Sequence, residues 1–571
     1  MDRARPWSLV ATLLCAGALS AATETPDAPE VGLAARGRLT LAQAAPPAPT
    51  KAAPPASTKA APPAPTTAAA AATSAAATST SAASSAASAP AAAPAGDAAK
   101  PADAKDKAEV IPPSTQEMYD SALEAHAAGD ARKAAARLYA WLRGSARSND
   151  AYEVAEHLLA EDLAKLGFIH GALSFETEVV RTRGRPELVS PALNNLEQWT
   201  RSVPHDERRL EEEVLHGADF GTLEGPAREW VAYHQGALDL RLGNDRWATL
   251  RFNELSEGSP WRARARVLEA ATKLQARDAN VGDALAEFEE VAADPKAPRE
   301  ARNDAHVEAA RLRFEAGDYK EALAHYQAVD LAELDPGRGQ LYLEEAYARV
   351  RLGDGSRAMG LLAALDAPSF KGLYLPEKYL LRASIFKDAC QYLPAKRAAR
   401  GLLRRYSKSL TAIRDRTPLQ DDPLLADAAL QKGAGERAAK WLRQLQKERE
   451  QLDRFLSAWN GSGLSARLTE VYGLAIDEAT RRRRLELEKG VIHAADELLS
   501  AVEQVNLVDY EVGLALYRRA GRQGTVSPLT FANPLPEPDE VGFEFDGEYW
   551  NDELPYLRFA LTDRCAEGVA P

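Results

Sequence analysis

The segment that decides the fold runs from Glu308 to Val329 and reads EAARLRFEAGDYKEALAHYQAV. Its first half places small side chains such as Ala310 on one helical face, and its second half resumes helical spacing at Ala322 and Tyr326. Gly317 lies between the halves and suits the left-handed turn at a helix end, where a Cβ atom is strained. The segment therefore predicts two short helices folded back on each other, with their backbones close together at the alanines.

The same pattern returns along the chain at a nearly constant interval. Positions equivalent to Ala322 are Ala134, Ala172, Ala248, Ala284, Ala358 and Ala395. The successive gaps are 38, 76, 36, 38, 36 and 37 residues, and 76 is twice 38, so a degenerate copy is expected near Leu210. The glycine recurs as Gly129, Gly167, Gly243 and Gly353, with Cys390 in its place in the last copy, and the bulky position recurs as Leu138, Phe252, Phe288 and Leu362.

This order of small, Gly-Asp-Tyr, alanine and aromatic positions resembles the tetratricopeptide repeat, a pair of antiparallel helices. The resemblance implies an all-α fold in which seven or eight pairs stack as a solenoid over residues 113–410. The period is slightly above the ~34 residues usual for this repeat, so slightly longer turns are expected between pairs. A solenoid also accounts for the length of 571 residues, because each pair packs only against its neighbours.

The net charge of −13 makes a general affinity for nucleic acid improbable, so no nucleic-acid partner is expected. Residues 1–20 resemble an export signal: Arg3 and Arg5 precede an apolar run that ends near Leu19. Cys15 leaves open a lipid anchor, although Thr12-Leu13-Leu14 lacks the small residue expected before a lipidated cysteine. An uncleaved membrane anchor is the other alternative, for which the run is short. The favoured interpretation is a periplasmic protein with only indirect membrane contact.

Residues 21–112 are rich in alanine, proline, serine and threonine and contain three near-identical octads between Gln43 and Thr66. Paired prolines favour extended structure, and the stretch lacks large apolar residues to bury. We expect a disordered linker, which either spans a layer of the cell wall or acts as a spacer without specific contacts.

The repeats begin after a capping-box pattern at Ser114-Thr115-Gln116-Glu117, and the copy at residues 188–224 keeps the period but loses the small residues. Residues 411–432 form a less patterned connector. Residues 433–520 predict an antiparallel coiled-coil hairpin: one helix from Glu436 to Trp459, a turn, and a second from Leu464 to about Val505. The expected apolar positions of the second helix include Leu485, Ile492 and Leu499.

Residues 521–571 form an irregular tail in which acidic residues alternate with aromatic residues such as Phe543, Phe545, Tyr549 and Trp550. Either the aromatics pack back on the helices, because exposed aromatics are costly, or the tail is a partner-binding peptide with an acidic rim.

Cys390 and Cys565 remain after removal of a leader that contains Cys15. In an oxidising compartment they could form a disulfide that links the tail to the last repeat. The alternative is a buried Cys390 and a free Cys565.

The sequence shows no convincing catalytic or metal site, and no cofactor is expected. The nine histidines do not pair at metal-ligand spacing on one helix, and the chain lacks a phosphate-binding loop and a Gly-x-Ser-x-Gly motif. The prediction is therefore a protein without enzymatic activity.

The repeat resemblance implies a curved inner groove, lined by the first helix of each pair, that binds other proteins. Alignment of the copies on the family pattern places seven residues toward that groove, each of which can also be an ordinary solvated side chain: Tyr233, Arg241, Arg311, Glu315, Tyr347, Arg351 and Lys387.

Leader, linker and repeats together resemble the periplasmic tetratricopeptide proteins of Gram-negative envelopes, of the TolA-binding coordinator type. The closing Asp-Gly-Glu-Tyr-Trp-Asn-Asp-Glu-Leu stretch is similar to repeat proteins of myxobacterial gliding machinery. The resemblance implies an adaptor that organises an envelope complex, in motility or envelope assembly, through the groove and the hairpin. An accessory factor or hydrolase acting on the cell wall is the alternative, and self-assembly through the hairpin is a third hypothesis.

Overall fold

The computed structural model describes residues 115–223, 225–275, 279–332, 335–520 and 548–565. The predicted export signal, the linker and residues 521–547 of the tail lie outside these ranges. Within them the chain is helical and contains no strand. No described helix combines the length and the apolar character that a membrane span requires.

We number the longer helices in chain order. They are α1 Gln116–Ala127, α2 Ala131–Gly144, α3 Tyr152–Lys165, α4 Ile169–Thr182, α5 Pro186–Ser202, α6 Pro226–Arg241, α7 Asp245–Phe252, α8 Pro260–Lys273, α9 Val281–Ala293, α10 Arg299–Ala316, α11 Tyr319–Ala328, α12 Pro336–Arg351, α13 Gly355–Ala364, α14 Glu377–Asp388, α15 Tyr392–Arg405, α16 Ser407–Arg414, α17 Pro423–Ala429, α18 Gly433–Leu452 and α19 Leu464–Ala520.

Helices α1 to α4 and α6 to α15 form seven antiparallel pairs, as the repeat pattern predicts, and α5 lies between them with the degenerate copy. The recurring alanines all lie on the second helix of a pair and are all buried, and so are the bulky residues that follow them. Small side chains at these points let two helix backbones approach, and the bulky neighbours fill the space between pairs. The all-α solenoid fold is confirmed.

The turns inside the pairs depend on left-handed residues. Gly129, Gly167, Gly243, Gly317 and Gly353 have φ angles between 75° and 88°. In the last pair Cys390 takes the same conformation, with a φ of 55°. A residue with a Cβ atom rarely adopts this conformation, so the position of Cys390 is held by its surroundings.

The degenerate copy near Leu210 departs from the helix-pair geometry. Where the other repeats have a second helix, the chain forms one short α-helical turn, Glu207–Arg209, followed by a π-helical turn, Leu210–Leu215. Leu210 and Leu215 still fill the core, but Glu211 is buried beside them. π-Helical turns are rare and concentrate at functional sites.

The hairpin is present, with two helices of unequal length. α18 ends at Leu452, before the predicted end at Trp459, and α19 continues to Ala520, well past Val505. A helix of 57 residues extends about 85 Å. Only the first part of α19 pairs with α18, because α18 has 20 residues.

The turn between the two helices of the hairpin packs against the first two repeats. The indole Nε1 of Trp459 donates to the carbonyl of Arg132 at 2.9 Å, and its ring lies 5.4 Å from that of Phe168. Arg143 donates to the carbonyl of Ser462 at 3.2 Å. Further along α19, Arg482 pairs with Asp206 at 2.7 Å, beside the irregular copy.

The second part of α19 packs against the last repeat. Its apolar face contributes residues to the same buried cluster as α14 and α15, namely Val491, Ala494, Leu498, Val505 and Val512. Lys387 pairs with Glu511 at 2.7 Å, and Lys396 pairs with Asp509 at 3.4 Å. One continuous helix therefore contacts both ends of the repeat array.

This arrangement corrects one expectation about the hairpin. Leu485, Ile492 and Leu499 were expected among the apolar contacts of the second helix, but their side chains are exposed. The opposite face of α19, which includes Ala494 and Leu498, packs against the last repeat instead and leaves these three side chains on the outside.

The described part of the tail lies along α13 and α14. Leu554 is buried, the ring of Phe559 lies 5.7 Å from that of Phe386, and the backbone amide of Phe559 donates to the carbonyl of Ser356 at 3.1 Å. Trp550, in contrast, is exposed. This part of the tail packs back on the repeats, and the alternating Phe543 and Phe545 lie outside the described residues.

Replacement of Gly360 tests this tail contact. A Cβ atom at Gly360 would lie 1.7 Å from the carbonyl oxygen of Leu557, so Gly360→Ala is expected to displace residues 554–565. Limited trypsin digestion followed by mass spectrometry should then show at least about tenfold faster cleavage at Arg558.

Gly513→Ala is the matched control, because no atom lies within 4 Å of a Cβ at that helical position. Equal cleavage rates in the Gly360→Ala variant and the unmodified chain would show that the tail does not pack on α13.

Candidate protein-binding surface

Arg311, one of the seven predicted groove residues, forms a buried ion pair between neighbouring repeats. Its guanidinium donates two hydrogen bonds to the Glu344 carboxylate, at 2.9 and 3.2 Å, and one to Glu308 at 3.0 Å. Burial disfavours the charged guanidinium, but the two carboxylates outweigh it and raise the pKa of Arg311 above its ordinary value. The pair joins α10 to α12 and fixes the inner faces of the two repeats.

Tyr347 makes the corresponding contact one repeat further along. Its ring is buried, and its hydroxyl lies 3.5 Å from a carboxylate oxygen of Glu377 on α14. Burial, with a further contribution from Glu497 on α19, raises the pKa of Glu377 to about 7. This carboxyl group therefore titrates near neutral pH at the contact between the last repeats and α19.

Tyr233 belongs to an aromatic cluster between α6 and α8. Its ring lies 5.0 Å from Trp261 and 5.2 Å from His234. Burial raises the pKa of Tyr233 to about 12. The guanidinium of Arg264 lies 5.0 Å from the Trp261 ring centroid, within cation–π range.

Arg241 compensates the buried carboxylate of the irregular copy. It pairs with Glu211, whose other oxygen lies 2.7 Å from Nδ1 of His234. Burial alone would raise the pKa of Glu211, but His234 and Arg241 together hold it below its ordinary value. These partners of Glu211 explain why the strongly charged irregular copy can be buried inside the array.

The three remaining groove residues lie at the ends of first helices. The Arg351 Nε atom donates to the Tyr319 hydroxyl at 2.9 Å, and its guanidinium lies 5.0 Å from that ring centroid. Lys387 pairs with Glu511 of α19, and Glu315 is exposed. The structure thus distributes the seven residues along the array and does not bring them together at one point.

Arg241 also lines a charged cleft between the irregular copy and the hairpin. The cleft contains arginines from three parts of the chain and is lined by His205, Glu207, Arg208, Glu211, Glu212, Arg241, Ala434, Arg437, Ala438, Trp441 and Arg482. Two buried nitrogens beside it, His205 Nε2 and Trp441 Nε1, have no hydrogen-bond partner among the residues that the structure describes. Buried polar atoms ordinarily bind a protein group or a water molecule.

A buried polar network that the sequence did not reveal attaches the hairpin to the second repeat. The Glu448 carboxylate lies 2.8 Å from Nδ1 of His170 and accepts hydrogen bonds from the His170 amide at 2.9 Å and the Tyr472 hydroxyl at 2.7 Å. Burial acts to raise the pKa of Glu448, but the hydrogen bond and charge of His170 hold it below its ordinary value. The residues are far apart in sequence, so no local pattern could have predicted their contact.

A second unpredicted feature is a group of exposed apolar side chains, which we call the exposed apolar patch: Leu242 at the end of α6, and Trp247 and Leu250 on α7. The Trp247 side chain is 60% exposed. A sequence signal for it does exist: the residue before the recurring alanine is charged in several other copies, as Lys133, Asp283, Glu321 and Arg357. Trp247 therefore occupies a position at which those four copies expose a charged side chain.

The sulfur atoms of Cys390 and Cys565 form a disulfide, with a Cα–Cα distance of 5.0 Å. Beside it, the Arg564 amide donates to the carbonyl of Ala389 at 3.0 Å, and Gln391 donates to the carbonyl of Thr562 at 2.8 Å. The bond joins the tail to the turn of the last pair. Among the described residues no group of three or more His, Cys, Asp or Glu side chains could hold a metal ion.

Comparison with known proteins adds little to this geometry. No family model and no curated protein match the chain. Among solved structures, the chain is similar to a tetratricopeptide repeat protein from Parabacteroides merdae, with 15% identity and a TM-score of 0.21. The similarity covers 50% of this chain and 91% of that protein. At this TM-score it carries no argument, and the tetratricopeptide-like fold rests on the repeated helix pairs.

The buried ion pair between Arg311 and Glu344 predicts that replacement of Arg311 strongly lowers the free energy of unfolding. Arg311→Gln leaves the Glu344 carboxylate buried without its charge partner, which should cost about 3–5 kcal/mol. The measurement is the urea concentration at the midpoint of unfolding, monitored by circular dichroism. Arg313→Gln on the same helix is the control, since Arg313 is more exposed and its ion pairs with Glu289 and Asp318 should contribute less than about 1 kcal/mol. Equal midpoints for the two variants would contradict the role of Arg311.

The raised pKa of Glu377 predicts that the stability of the fold depends on pH. Because its pKa is raised to about 7 in the folded chain, folding favours its protonated form. Its ionisation therefore destabilises the fold progressively as the pH rises from about 4.5 to about 7. Glu377→Gln should raise the free energy of unfolding at pH 8 by about 2–3 kcal/mol and leave it nearly unchanged at pH 4.

The control is Glu321→Gln, which changes an exposed carboxylate on α11. Urea titrations at pH 4, 6 and 8 measure the effect. Burial also raises the pKa of Glu156 to about 7, so some pH dependence should persist in the Glu377→Gln variant. A variant no more stable than the control at pH 8 would contradict the assignment.

Proposed function

We propose that this chain is a non-enzymatic adaptor that binds other proteins of the cell envelope and organises a periplasmic complex, in gliding motility or envelope assembly. Stacked helix pairs present an extended surface to partners. Because α19 contacts both ends of the array, the chain binds a partner without first having to order its own repeats, which lowers the entropic cost of association.

The observation that carries the proposal is the exposed apolar patch of Leu242, Trp247 and Leu250. Tryptophan is the residue type most enriched where partner proteins bind tightly. A neighbouring pocket supplies a polar rim from His216, Asp239, Asn244 and Arg251, and an apolar centre with a polar rim is the usual anatomy of a protein interface.

The seven groove residues remain proposed contacts of the same or a second partner. Arg241 lines the charged cleft, and Arg351 and Lys387 lie at helix ends. Arg311 and Tyr347 are buried, so their proposed contribution is to hold the exposed neighbours in place. Charged side chains of this kind set specificity and association rate more than affinity.

The periplasmic location rests on the sequence and on one feature of the fold. Arg3, Arg5 and the apolar run after them resemble an export signal, which lies outside the described residues. The disulfide between Cys390 and Cys565 supports the proposal, because such bonds persist in oxidising compartments and are rare in the cytosol.

Affinity purification of the full chain from cross-linked envelope extract tests the proposal. The unmodified chain should recover a reproducible set of envelope proteins, and Trp247→Ala should reduce that recovery at least about tenfold. Leu352→Ala is the matched control, since Leu352 is similarly exposed at the turn between α12 and α13.

Two outcomes would contradict the adaptor function. Equal recovery of partners by the Trp247→Ala chain and the Leu352→Ala control would show that the exposed apolar patch does not bind them. Release of muropeptides from cell-wall material by the purified chain would favour the alternative, a hydrolase or its accessory factor.

A further inference from the structure

The outer face of α19 carries a row of exposed large apolar side chains. They are between 44% and 80% exposed and comprise Leu474, Leu485, Ile492, Leu499, Leu507, Tyr510 and Tyr517. With about 100° of rotation per residue, all seven lie within a stripe about 80° wide. We call this row the apolar stripe; the residues on the opposite side, such as Ala494 and Leu498, are the ones buried against the last repeat.

Part of the apolar stripe repeats every seven residues, the repeat length of a coiled coil. Leu485, Ile492 and Leu499 are seven residues apart, and so are Tyr510 and Tyr517. Single exposed apolar residues are common on soluble proteins, but a continuous row of about 65 Å marks an interaction surface. A heptad row on one helix matches a second helix that carries the same repeat.

The charges between these apolar residues select the partner. Two identical helices that pack antiparallel about a two-fold axis at Ile492 bring together residues equally far from Ile492 on either side. Eleven residues before and after it stand Arg481 and Glu503, which are of opposite charge. Four residues before and after it stand Glu488 and Asp496, which are both acidic, so Arg481 with Glu503 is the charge pair that favours this register.

Five of the seven residues of the apolar stripe obey the same symmetry, counting Ile492 itself. Leu485 and Leu499 lie seven residues to either side of Ile492, and Leu474 and Tyr510 lie eighteen residues to either side. A parallel pair in register would instead place Arg481 against Arg481 and Glu503 against Glu503, which is repulsive. Within the described part of its own chain Arg481 pairs with Glu478, an exposed ion pair of the kind that contributes little.

We propose that the apolar stripe binds the same stripe of a second copy of this chain, antiparallel, with the two-fold axis at Ile492. Self-complementarity of one surface is the requirement for a two-fold symmetric dimer. The dimer places two repeat arrays on one scaffold, so that two partner molecules can bind at once with increased avidity. The proposal does not depend on which partner the repeats bind.

The test is the mass of the full chain in solution, measured by sedimentation equilibrium from about 1 to about 100 µM. The unmodified chain should form a dimer. Ile492→Glu places two carboxylates opposite each other at the axis and should give a monomer, whereas the control Val281→Glu, at an exposed site on α9, should leave the dimer intact. Circular dichroism verifies that each variant is folded.

Exchange of charges tests the register independently. Arg481→Glu alone and Glu503→Arg alone each create like-charge contacts twice per dimer, and each should weaken association roughly tenfold. The double variant Arg481→Glu, Glu503→Arg restores opposite charges and should recover the affinity of the unmodified chain.

Four results would overturn the proposal. They are a monomeric unmodified chain throughout the concentration range, a dimer that Ile492→Glu does not affect, a double variant as weak as the single variants, and a monomer whose apolar stripe binds a different protein.

Discussion

The contact of one helix with both ends of the repeat array is the constraint on which the rest of this structure depends. Helix pairs stacked only on their neighbours can bend, because no contact joins distant repeats. Here α19 fixes the array at two places. At one end the buried Glu448 carboxylate accepts hydrogen bonds from Tyr472 and the second repeat, and at the other the small residues around Ala494 pack on the last repeat.

The inner faces of the repeats add shorter-range order to this long-range contact. Arg311 with Glu344 and Tyr347 with Glu377 each join one first helix to the next, and Arg241 neutralises a carboxylate that the irregular copy buries. Charged side chains inside the array thus hold its shape, while the exposed patch at Trp247 and the apolar stripe on α19 are free of packing roles. That division explains how one chain can be rigid and still offer surfaces to other molecules.

The sequence predicts whatever depends on local spacing and fails where distant segments meet. The recurring alanines and left-handed glycines identify the helix pairs, because each pair is built from about 37 consecutive residues. The contact of Glu448 with His170 joins residues 278 positions apart, and no periodicity reports it. The prediction for Leu485 was wrong for a related reason: both faces of α19 carry apolar residues such as Leu485 and Leu498, and only the position of the last repeat decides that the face with Leu498 is buried. Trp247, in contrast, could have been found by comparison of the copies at the position before each alanine.

The most direct test of the central claim is the distance between spin labels placed on the first pair, at Lys133, and on the last pair, at Arg400, both exposed positions. The distance is measured by pulsed electron–electron double resonance on two versions of the full chain. One is otherwise unmodified, and the other carries Tyr472→Ala, which removes a buried side chain of the hairpin contact. If α19 holds both ends of the array, we expect one narrow distance distribution, which becomes broad in the Tyr472→Ala chain. An equally broad distribution in both chains would show that α19 does not hold the two ends of the array together.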